Sequence, residues 1–151
     1  MIFQRAGSSL GGCFSTILCF VGALFLISAL VRGCNSPYSR GERLRDSNPC
    51  QAAQLFSEGI KLDEKGSARS VVALSELDSD CAMRQIVRLL DLPDGRHLGK
   101  NSRKMLFESL KRRAQKISTQ IPDYDPAGSL DTRRSQQQEW HEWLDKHNIK
   151  R

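Results

Sequence analysis

Several short stretches carry residue types that can do chemistry, and each was tested against the spacing that its chemistry needs. His141-Glu142-Trp143-Leu144-Asp145 begins like the helix of a zinc peptidase, but Asp145 stands where the second histidine ligand belongs. Asp123-x-Asp125 with Gly128 at the sixth position begins like a calcium loop. Its fifth position is Ala127 and its twelfth is Arg134, where a bidentate glutamate is required. The five cysteines form no C-x-x-C pair, and three histidines are too few and too scattered for a metal cluster. Cys50 and Cys81 fall at the starts of two predicted helices. A helix N-terminus lowers a thiol pKa, yet no histidine is near either in sequence. Both are expected as buried free thiols, a disulfide between them requiring an exported domain. No catalytic, cofactor-binding or metal-binding residue is assigned, and an enzyme is not expected.

The strongest charge feature runs from Arg96 to Lys116, with eight bases against Glu108 alone. Lys104, Lys111, Arg112 and Lys116 turn away from the Leu106, Leu110 and Ile117 face at ~100° per residue, so they are the candidate contacts to an anionic partner. That partner would be an acidic protein or an anionic membrane surface. The run has no interleaved aromatics and belongs to no recognised nucleic-acid module, so nucleic acid is not expected. The plainer reading is a solvated helix face with Glu108 and Arg112 paired at i, i+4.

These residues must be positioned by a chain of two unlike parts. Among 151 residues, 39% are hydrophobic and the formal charge is +6. Residues 10–31 (LGGCFSTILCFVGALFLISALV) are continuously uncharged, and about 20 apolar residues span a bilayer core. A single retained transmembrane helix is expected there, after an N-terminal tail of residues 1–9. Ser15, Cys19 and Ala23 fall on one face at i, i+4, i+8, which would let the membrane helix pair with a second copy. Val31-Arg32-Gly33-Cys34 resembles the lipobox of bacterial lipoproteins and makes Cys34 a candidate lipidation site, although Arg32 departs from that pattern. Arg32, Arg40, Arg43 and Arg45 outnumber Arg5, and the positive-inside rule then favours a cytoplasmic domain. The exported side remains the other reading. Residues 32–47, polar and basic with Pro, Gly and Ser, read as a flexible tether.

Residues 48–151 read as helical. Asn48-Pro49-Cys50-Gln51 has capping-box order, followed by Ala52, Leu55, Phe56, Gly59 and Ile60. A second helix from Ser67 carries Val71, Val72, Leu74 and Leu77, and a third after Ser79 carries Met83, Ile86, Val87, Leu89 and Leu90. A fourth is expected from about Ser102 to Thr119, with Leu106, Phe107, Leu110, Ala114 and Ile117 inward. Nothing alternates with period two, so the fold class is all-α with about five soluble helices. The last helix holds Arg133, Gln137, Trp140, Trp143, Leu144 and His147 near one face, with Trp140 and Trp143 as structural anchors.

The ending Tyr124-Asp125-Pro126-Ala127, then Arg133 or Arg134, then Trp140-x-x-Trp143-Leu144, resembles that of small bacterial HEAT-like repeat proteins. Residues 67–119 are similar to one or two degenerate helix pairs of that family. The resemblance implies an α-solenoid fragment that binds other proteins and supplies no catalytic residues. Together these features lead to a membrane-tethered helical interaction or scaffold module without a cofactor. The alternative is a lipoprotein, or an accessory or regulatory domain of a membrane enzyme complex.

Overall fold

The structure is a computed structural model that describes residues 36–62, 67–92 and 98–149. The apolar run 10–31, with Ser15, Cys19 and Ala23, and Cys34 lie outside the described residues. No helix among the described residues is long and apolar enough to cross a membrane. The described residues form six helices and no strand: α1 (Pro37–Leu44), α2 (Pro49–Lys61), α3 (Ser67–Glu76), α4 (Asp80–Leu89), α5 (Lys100–Ala114) and α6 (Leu130–Lys146). The domain is all-α.

Local chemistry explains where the helices start. Ser36, Asn48, Ser79 and Ser129 each accept a backbone N–H from the residue three further on, namely Ser39, Gln51, Ala82 and Thr132. Pro37 and Pro49 occupy first-turn positions where no N–H is needed. The expected capping box at Asn48 closes differently. Leu44 O already takes the Asn48 backbone N–H, so the Gln51 side chain meets the Asn48 amide.

Helix α1 departs from the tether read in residues 32–47. Its Ser, Pro and Gly act as cap, first-turn residue and close contact, and not as chain breakers. A Cβ on Gly41 would lie 2.5 Å from Phe56 Cε1, so only glycine admits α1 this close to α2. Tyr38 adds a tilted ring contact to Phe56 at 6.1 Å.

Besides its sequence neighbours, α5 and α6 excepted, each helix packs on the one two places along: α1 on α3, α2 on α4, α3 on α5 and α4 on α6. Odd helices therefore form one layer and even helices the other. Between them lies one core of Ala52, Phe56 and Ile60 from α2, Leu74 from α3, Ile86 and Leu89 from α4, Leu106 and Leu110 from α5, and Trp140 and Leu144 from α6. Helix α5 ends at Ala114, short of the expected Thr119, and Ile117 consequently stands 44% exposed instead of joining the core.

Tyr124 seals the underside of this core. Its ring packs on Phe107 at 5.2 Å and its hydroxyl donates to Leu90 O at 2.6 Å. Burial raises its pKa from 10 to about 12, against the opposing pull of Arg103 and Arg133. A phenol whose folded pKa lies above its unfolded value stabilises fully below pH ~10 and loses that contribution as pH rises towards the folded value. Tyr124→Phe leaves the Leu90 carbonyl without this donor, at a cost of about 1–2 kcal/mol near neutral pH. In urea melts, the gap between wild type and Tyr124→Phe is expected to stay constant up to pH ~10 and to shrink above it. A gap that stays constant to pH ~12 would disprove this assignment.

Candidate functional site

Two of the four candidate basic contacts come together, and the other two point elsewhere. Arg112 and Lys116 line one cleft, whereas Lys104 and Lys111 lie ~80° and ~100° from Arg112 around α5. Lys104, Arg112 and Lys116 are exposed and Lys111 is half-buried. No ion pair joins Glu108 to Arg112 among the described residues.

The solvated-face reading of the basic run also needs correction, because Arg103 and Arg113 are buried. Arg113 serves the end of α3, and Arg103 holds the carbonyls of Leu92 and Leu98 between α4 and α5. Neither α3 nor α4 is followed by a capping glycine, and the last carbonyls of a helix have no partner within it. Ser75 O at the end of α3 accepts from Ser109 Oγ and, at 2.7 Å, from Arg113 Nη2. Val87 O near the end of α4 accepts from Gln137 at 2.8 Å, and Leu92 O and Leu98 O accept from Arg103. A cation at a helix C-terminus is also favoured by the helix dipole. Burial, and secondarily neighbouring Arg112, lower the Arg113 pKa, while Asp78 at 3.5 Å from Nε raises it. Only part of the basic run is thus exposed to solvent.

Arg112 and Lys116 border an open cleft of about 770 Å³ between α3 and α5, lined also by Val72, Met105, Ser109, Asp78 and Arg113. A shallower cleft of about 310 Å³ lies on the other side of α3, against α1, and includes Tyr38, Ala68, Arg69 and Ala73. Val72 and Glu76 line both clefts, so the two adjoin along α3 and are taken together as the groove of the odd-helix layer. Val72 and Met105 are each 43% exposed in it. Val72, one of the apolar residues that the sequence gives this helix, forms the apolar ridge between the two clefts.

The carboxylates of this groove are already neutralised within the domain. Arg45 meets Glu76 at 3.1 Å and Glu42 at 3.9 Å. Asp78 is shared by Arg113 and Lys116, the latter at 3.6 Å. Arg69 and Arg112 have no carboxylate partner among the described residues. The lining of the two clefts contains no histidine or cysteine.

Cys50 and Cys81 are joined in a disulfide, which corrects the expectation of two buried free thiols. The bond ties the first turn of α2 to the first turn of α4. It forms the floor of a third cleft, of about 400 Å³, with Asn48, Gln51, Gln54, Arg84, Gln85 and Arg88. No group of three or more histidine, cysteine, aspartate or glutamate side chains among the described residues could hold a metal ion. In the former calcium-like loop, Asp125 Oδ1 accepts the Ala127 N–H and so serves the turn.

The tryptophans sit as the sequence places them. Trp140 is fully buried, edge-on to Phe107 at 6.0 Å and to Trp143 at 5.6 Å. Trp143 donates its indole N–H to Gln120 O at 2.8 Å. Residues 147–149 close the helix: Asn148 adopts φ 54°, and the Ile149 and Asn148 N–H groups reach back to Leu144 O and Asp145 O. Arg84 then clasps this end through Ile149 O and, at 2.8 Å, Asp145 Oδ1. His147 stacks on Trp143 at 4.2 Å, so the C-terminal residues are part of the fold.

No protein-family model, curated protein or solved structure matches this chain.

Proposed function

We propose that the chain is a membrane-tethered helical interaction module, with the odd-helix groove as its binding face. The observation that carries this reading is the pair of exposed apolar side chains, Val72 and Met105, in a groove whose carboxylates are already paired internally. Contiguous apolar surface rimmed by polar groups marks interaction sites. The packing of each helix on the one two places along is the neighbour pattern of an α-solenoid, and supports the HEAT-like resemblance of the tail. The uncharged run of residues 10–31 supports a single-pass anchor.

The domain is read on the exported side of that membrane, against the cytoplasmic side favoured by the arginine count. Disulfides persist in oxidising compartments, and the Cys50–Cys81 bond supports such a setting.

A photo-crosslinking residue at position 72 of the full-length protein, in its own membranes, tests the binding face. Discrete adducts are expected at position 72 and none at the exposed position 139 on α6. Equal labelling at both positions, or none at 72, would overturn the reading.

A further inference from the structure

The groove is specific about what it can accept. Its ridge is apolar, through Val72 and Met105, with Ala68, Ala73 and the Tyr38 ring on the α1 side. Across that ridge stand Arg69 on one side and Arg112 on the other, each exposed. Glu42, Glu76 and Asp78 are occupied by Arg45, Arg113 and Lys116. The groove therefore offers apolar area in the middle and unmatched positive charge at both edges.

We infer that the groove docks an amphipathic helix of another protein whose apolar stripe is flanked on both sides by Asp or Glu. This deepens the interaction-module reading and rests on it. An apolar stripe at i, i+3, i+4, i+7 would lie over Val72 and Met105. Carboxylates beside that stripe would meet Arg69 and Arg112, where a guanidinium can engage a carboxylate with two parallel hydrogen bonds. A neutral apolar helix would leave both arginines unmatched, and a basic one would be repelled. An anionic lipid surface is the other bearer of negative charge, and competition by vesicles tests it below.

The experiment pans a displayed library of amphipathic helices, with flanking positions randomised, against the full-length protein in detergent micelles. Selected sequences are expected to carry Asp or Glu on both flanks, and the double variant Arg69→Glu/Arg112→Glu is expected to select Lys or Arg there instead. Val72→Asp should weaken the selected helices by about tenfold or more, and each of Arg69→Gln and Arg112→Gln by roughly threefold at low salt. Circular dichroism and melting establish that the variants remain folded. Selection of neutral or basic flanks by wild type, or no change in selection by the charge-reversed variant, would overturn the inference. So would vesicles containing anionic lipid that compete away the selected helices. Adducts at position 72 alongside such a failure would leave the module reading standing and remove only this partner; absence of adducts would remove both.

Discussion

Replacing Trp140 with alanine is expected to destabilise the domain by roughly 3–5 kcal/mol, enough to unfold much of it when total stability is on the order of 5–15 kcal/mol. The ring is wholly enclosed between Phe107 and Trp143, and truncation would leave a void that three helices cannot collapse around. Its indole N–H has no hydrogen-bond partner, so Trp140→Phe removes an unsatisfied donor together with part of the ring. That variant should lose about 1–2 kcal/mol. Trp143→Ala deletes a ring and also leaves Gln120 O without its donor, so it should approach the loss at Trp140. Urea denaturation of the three variants measures the order. A Trp140→Ala protein that melts like wild type would mean that the ring is not in the core.

Breaking the Cys50–Cys81 bond is the second large effect. The bond closes a loop with a sequence separation of 31, and restricting a chain loop of that length in the unfolded state is worth about 3.5 kcal/mol. Dithiothreitol should lower the melting point of wild type substantially and leave the double variant Cys50→Ala/Cys81→Ala unaffected, already at the lower value. In intact membranes, the cysteines of the domain should resist maleimide labelling until reduced. Full labelling without reductant, or a wild-type melt indifferent to dithiothreitol, would exclude the disulfide and with it the support for an exported domain.

What could be read from the sequence is what local chemistry determines. The starts of α2 and α4 at Pro49 and Asp80 follow from local caps and a proline, and α3 begins at Ser67, where the sequence places it. The inward Trp140 and Trp143 follow from helical spacing. Features that depend on distant partners could not be read. Gly41 appears as a chain breaker until Phe56 is known to press on it. Arg103 and Arg113 are indistinguishable in sequence from Lys104 and Arg112 until the carbonyls of Leu92 and Leu98 and the end of α3 are brought beside them. One clue was available: α3 and α4 end at Leu77-Asp78 and Leu90-Asp91 without a following glycine, so their carbonyls needed donors from elsewhere. Val72 stands beside Val71 in an apolar run, Val71 to Leu74, that does not tell by itself which of the four is left uncovered. Only the two open flanks of α3 show that one side stays uncovered.

The use of remote side chains to close helix ends also bears on how the domain loses its structure. In an idealised repeat array each unit touches only its neighbours, and unfolding can begin at one end and spread. Here the end of α3 is held by Ser109 and Arg113 of α5, the end of α4 by Tyr124 and Gln137, and the final residues by Arg84 of α4. Fraying of α6 would expose carbonyls of α4, and loss of α5 would expose those of α3. The ends are therefore coupled to the middle, and the domain should unfold in a single all-or-none step despite its layered build. Deleting the last few residues would then be felt not as a shortened helix but as a loosening of the entire molecule.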